Sequence, residues 1–253
     1  MTQISVINAS TVLKDGDVQK ALPAFQKQVS RDFAPAWGLD ATLTFVPKGS
    51  KPQPGSWWLV ILDNSDQAGT LGYHDVTHDG LPLGKVFAGT DIKLGYKWTV
   101  TFSHELLEML ADPEINLTVF RQPNANTGVL YAYEVCDACE VDQFGYDIDG
   151  VTVTDFVYPA WFEEHRTSGT QFDHRKQITQ AFQLLKGGYI GVFDVRAGIG
   201  WHILTRQEDA FEYQMRARRQ SSRATPHTAR SLVVKQSDGQ RSINPASSLR
   251  ING

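Results

Sequence analysis

The chain has 253 residues, 41% of them hydrophobic and 21% charged, a balance that closes a core and excludes an intrinsically disordered chain. No stretch approaches the ~18 apolar residues of a membrane-spanning helix, and two cysteines, Cys136 and Cys139, cannot staple a secreted scaffold. The net charge of −4 conceals a division: up to Tyr213 acids outnumber bases by 11, and from Gln214 onward bases outnumber acids by 7.

In chain order, Ile4–Ala9 alternates as a short strand. The opening Met1–Asn8 lacks the basic-then-apolar layout of a signal peptide, so the expected location is the cytoplasm. Asp17–Trp37 has helical spacing through Val18, Leu22, Phe25, Val29 and Phe33 and should stop at Gly38. Ala41–Val46 reads as a strand, and Lys48–Ser56 as a loop rich in Pro and Gly. The continuous apolar run Trp57–Leu62 reads as a central buried strand. Gly69–Asp79 reads as a polar loop and Leu81–Ala88 as an edge strand. The helix of most interest runs from about Trp98 to Asp112, with Pro113 just beyond its end.

After it, Glu114–Gly128 is loose, Val129–Val135 is apolar and Glu134–Asp149 is dense in acid. Val151–Phe162 opens with alternating Val and Thr. Gln171–Leu185 is partly helical by its spacing, and Gly187-Gly188-Tyr189 turns the chain into Ile190–Val195 before Trp201–Leu204. The expected fold class is α+β, one mixed sheet with packed helices. The expected division is a body over 1–213 and a basic low-complexity tail over 214–253.

The 98–112 helix carries the chemistry. With His104 at the origin of a helical wheel, Glu108 falls at about 40°, Thr101 at about 60°, Asp112 at about 80° and Glu105 at about 100°. Val100, Phe102, Leu106, Leu107, Met109, Leu110 and Ala111 take much of the remaining circumference. A narrow acidic strip therefore lies on a helix that is otherwise apolar. Burying such a strip costs several kcal/mol per ion unless positive charge meets it. The helix supplies no lysine or arginine after Lys97, and a divalent cation is the simplest answer.

The order His104-Glu105-x-x-Glu108 has the spacing of the metallopeptidase pattern H-E-x-x-H, with Glu108 in place of the second histidine. Nitrogen and carboxylate donors both suit Zn; carboxylate-rich ligation also admits Ca, against which His104 argues. Glu105 is then placed to act as general base on a metal-activated water. The extra charge of Glu108 weakens the metal as a Lewis acid. A third ligand is expected from Glu134 or Asp137, in Tyr133-Glu134-Val135-Cys136-Asp137-Ala138-Cys139-Glu140. Asp112 is the expected orienting partner of His104. The single Cys136-x-x-Cys139 pair reads as plain buried thiols. His74 and His78 are weaker candidates for the lining of the cleft, since their surroundings read as loop.

On these residues the chain resembles a family of bacterial and phage proteins that look like zincin metallopeptidases. The likeness is carried by Tyr73-His74-Asp75 with Gly84–Phe87, by Ser103-His104-Glu105 through Glu108 to Asp112-Pro113, and by Glu134–Ala138. Asp155–Phe162 and Gly187-Gly188-Tyr189 extend it over roughly residues 70 to 195. The resemblance implies a zincin-like fold with its metal on the His104 helix, and it supplies no substrate. Two functions stand open. One is a zinc-dependent hydrolase acting on a protein or peptide. The other is a non-catalytic structural subunit of a phage particle or other large assembly, docked to its neighbours through 214–253. Nucleic-acid binding by the tail is a weaker third reading, because its eight basic residues come without interleaved aromatics or a known binding fold.

Overall fold

A computed structural model describes residues 1–67, 69–164, 167–206, 218–221 and 233–236. The chain begins with β1 (Thr2–Asn8), α1 (Asp15–Lys27), a π-helical turn (Gln28–Phe33) and α2 (Ala34–Trp37). Next come β2 (Ala41–Val46), β3 (Trp57–Leu62), β4 (Thr70–Val76), β5 (Pro82–Phe87), α3 (Ala88–Leu94) and α4 (Trp98–Ala111). The second half holds β6 (Thr118–Asn124), β7 (Thr127–Ala132), the hairpin β8 (Tyr146–Ile148) and β9 (Val151–Val153), β10 (Tyr189–Asp194) and β11 (Trp201–Arg206). Two strands follow, β12 (Arg218–Ser221) and β13 (Val233–Gln236). They are the described pieces of the tail expected from 214; its remainder lies outside the described residues. No helix among the described residues is long and apolar enough to cross a membrane.

The fold is mixed α/β, and the described residues form two main sheets where the sequence suggested one. The first has the order β12-β4-β5-β3-β1-β2, and the second β13-β11-β10-β7-β6. In the first, β1 pairs in parallel with β2 and β3, β3 in parallel with β5, and β4 antiparallel to β5. The second sheet was missed because its outermost hairpin strand, β6, contains Pro123 and exposes most of its residues, as an edge tolerates.

Two expectations about the first sheet fail with it. The strand at Leu81–Ala88 is interior, flanked by β3 and β4, and Gly69–Asp79 supplies a strand where a loop was expected. Of β4, Thr70–His74 are buried. The partly helical reading of Gln171–Leu185 also fails. The Asp173 carboxylate accepts the backbone N–H of Gln177 and Ile178, each at 2.9 Å, and the N–H groups of Phe182 and Leu185 donate to Trp161 and Ala138. With its backbone committed to other segments, this stretch has nothing left for a helical ladder.

The long first helix follows the sequence closely. From α1 through the π turn to α2 it runs without a break and ends on Gly38, whose φ of 70° is the left-handed cap that glycine accepts. Gln28, in the π turn, is fully buried and donates its side-chain amide to Thr154 O at 2.8 Å. Phe25 stacks on Phe102 of α4 with ring centroids 4.2 Å apart, and Trp98 meets both rings edge-on. That aromatic cluster packs one side of α4, and β4 and β5 pack another.

Candidate metal centre

Every residue of α4 from Val100 to Ala111 is buried, so its acidic strip has no solvent face at all. Burial holds because the helix is gripped along its length. Thr99 Oγ1 donates to Thr152 O at 2.7 Å, and Ser103 Oγ accepts the Thr154 N–H at 2.8 Å, which ties α4 to the β9 segment. Thr101 Oγ1 donates to the buried Asp91 carboxylate of α3 at 2.8 Å. Asp112 ends the helix and accepts the backbone N–H groups of Asn116 and Leu117, holding the chain as it leaves.

Two glycines bring the neighbouring segments in. A Cβ on Gly72 of β4 would lie 2.8 Å from Glu105 Oε1 and 2.8 Å from Thr101 Cγ2. A Cβ on Gly188, at the start of β10, would lie 2.2 Å from Ala138 O. Both contacts are closer than packed atoms allow, so each strand approaches the site only as glycine. Gly72→Ala is therefore expected to cost about 1–3 kcal/mol in denaturant unfolding. Gly16→Ala is its control, since a Cβ there meets nothing within 4 Å; equal effects of the two would remove this account of the close approach.

Among the described residues, His74 from β4, His104, Glu105 and Glu108 from α4, and Glu134, Cys136 and Asp137 from the turn after β7 meet inside this enclosure, all of them fully buried. His104 Nε2 lies 3.2 Å from Glu108 Oε2 and 3.4 Å from Asp137 Oδ1. His74 Nδ1 lies 3.7 Å from Glu105 Oε2 and 3.8 Å from Glu108 Oε2, and its Nε2 lies 3.7 Å from Glu134 Oε2. Glu108 Oε1 accepts the Cys136 N–H at 3.0 Å.

His74 thus sits within the cluster, whereas His78 is solvent-exposed and outside it. Cys136 comes closer than its sequence reading as a plain thiol implied, because the backbone bond to Glu108 draws it in. Among the described residues, two sets of donors could hold a metal ion: His104 with Glu108 and Cys136, and His74 with Glu108 and Glu134.

The electrostatics make the same point. Burial pushes the Glu108 carboxyl up to about 8, against the pull of the backbone N–H groups of Cys136 and Asp137. Burial, reinforced by Glu108, Glu134 and Glu140, pushes Asp137 well above the usual carboxylate range. Burial likewise raises the Cys136 thiol, and Glu108 raises it further. Among the residues whose burial is described, no lysine or arginine is buried. The enclosure is an arrangement of like charges in low dielectric, which favours either protons or a bound cation. The donors fit a cation: nitrogen, carboxylate oxygen and sulfur are the ligand types of Zn, whereas Ca requires a shell of oxygens.

No family model, no curated protein and no solved structure matches the chain.

Proposed function

We propose that this chain is a zinc-dependent hydrolase of zincin-like build that acts on peptide bonds. The observation that carries the reading is the meeting of His104, Glu105 and Glu108, from consecutive turns of one buried helix, with Glu134 and Asp137 from a later turn. His104 and Glu108 would hold the ion together with Asp137 or Glu134. When bound, Zn supplies Lewis-acid activation of water and polarisation of the scissile carbonyl.

The chain's own residues do the rest. Glu105, adjacent to His104 and not needed as a ligand, takes the proton from the attacking water and returns it to the leaving amine. His74, with Nδ1 3.7 Å from Glu105 Oε2, is the nearest imidazole to that carboxylate and would help to orient it. The Cys136 N–H fixes one oxygen of Glu108 so that the other faces His104. The apolar surroundings of α4 lower the local dielectric, which strengthens each of these interactions.

The direct test is cleavage of an unfolded polypeptide by the Zn-loaded protein. Cleavage should cease on chelation and return when Zn is restored. A metal-loaded protein that cuts no peptide bond under any of these conditions would overturn the proposal.

One observation favours the second reading, a non-catalytic structural subunit. All the donors are closed to solvent, as in structural metal sites, where catalytic ones keep an open position. The described tail strands pair within the chain itself, β12 in parallel with β4 and β13 with β11, so docking to neighbours would fall to the rest of the tail. Under this reading the metal stabilises the fold, and Glu105 has no kinetic role.

A further inference from the structure

The two donor sets are distinct except for one residue. His104 and Cys136 belong to the first, His74 and Glu134 to the second, and Glu108 to both. Within each set the ligand atoms all lie within 4.8 Å of one another. Glu108 Oε2 is the point where they meet, 3.2 Å from His104 Nε2 and 3.8 Å from His74 Nδ1. Glu108 and Asp137 are both fully buried, Glu108 within hydrogen-bonding reach of Glu134 and Asp137 within reach of Tyr189. Those contacts leave the carboxylates crowded by like charge in low dielectric, where a cation is favoured.

One Zn ion takes about four ligands in a closed site. A single ion on His104, Glu108, Asp137 and Cys136 fills that shell and leaves His74 and Glu134 outside it. It also leaves the charge unbalanced, because Glu105, Glu108, Glu134 and Asp137 carry four negative charges when ionised against two positive. Two divalent cations balance those four carboxylates, and a carboxylate with two oxygens is the common bridge between paired ions about 3.5–4 Å apart.

We propose that this enclosure is a dinuclear site in which Glu108 bridges two divalent cations, one held with His104 and Asp137 beside Cys136, the other with His74 and Glu134. The first cation rests on the metal-dependent reading above; the second goes beyond it. The two positions differ in donor character. The Cys136 side includes sulfur and suits Zn, while the His74 side offers nitrogen and oxygen alone and accepts Mn as well.

The test uses the full chain loaded with Zn or with Mn(II) and freed of excess by dialysis. Metal analysis should give two equivalents in the wild type and one in His74→Gln, with Glu108→Gln losing both or retaining one weakly. The Mn(II)-loaded wild type should give the electron paramagnetic resonance of an exchange-coupled pair, and His74→Gln the six-line signal of an isolated ion. One equivalent with a six-line signal in the wild type would overturn the second cation and leave the first standing. No bound metal would overturn both. If His74→Gln fails to fold, the wild-type stoichiometry and signal decide alone.

Discussion

Removing the metal with a chelator is expected to lower the melting temperature, and to lower it further at pH 8 than at pH 5. Glu108 carries the reason. Its carboxyl has an ordinary value of 4.5 and is pushed up to about 8 by burial in the metal-free fold. Between those values the folded chain keeps a proton that the unfolded chain has released. The Glu108 contribution to stability is therefore full below about pH 4.5 and is lost as pH rises toward about 8. The slope is about 1.4 kcal/mol per pH unit for each proton so held. Asp137, also raised, adds to the loss in the same direction.

A bound cation replaces those protons, so the metal-loaded protein should escape this decline, and at metal a thousandfold above Kd it gains about 4 kcal/mol. Thermal unfolding followed by circular dichroism from pH 5 to 8, with and without chelator, measures both effects. Superimposable curves would contradict the account. Glu108→Gln sharpens it. The variant should flatten the pH dependence of the metal-free protein while weakening metal binding, because it removes the charge without changing the shape.

The second large effect concerns Glu105. Glu105→Gln keeps the size of the side chain and its packing against Gly72, but it cannot take up a proton. If the carboxylate acts as general base, kcat should fall by about 10²–10⁴, with KM and metal content nearly unchanged. A structural role for Glu105 would instead show as lost metal or lost stability at unaltered turnover. Steady-state kinetics alongside metal analysis of the same preparations separates the two. Full activity in Glu105→Gln would remove Glu105 from the chemistry.

Much of this centre was legible in the sequence because it lies on one helix. Thr101, His104, Glu105 and Glu108 share an arc at helical spacing, and the apolar residues around them announce a buried helix that Pro113 follows. Glu134 and Asp137 were legible only as a nearby acidic segment; their approach depends on a turn held by Cys136 N–H and on the close contact of Gly188 with Ala138.

His74 was harder to read. Its neighbours Asp75, Thr77, His78 and Asp79 are polar, so the segment read as loop, and nothing local shows that β4 is flanked by β5 and β12 and packed on α4. Gly72 was the available signal, since a glycine inside a strand marks a close backbone approach. The second sheet escaped for a different reason. Beyond the exposed β6, its inner strands show only as short apolar runs, and their pairing across long separations, as of β7 with β10, leaves no local mark.

The most direct measurement is the metal content of the full-length protein purified without chelator, by inductively coupled plasma mass spectrometry. At least one equivalent of Zn per chain is expected, retained through dialysis and lost in His104→Ala. A folded protein that carries no metal, takes up none and keeps its stability in chelator would contradict this expectation.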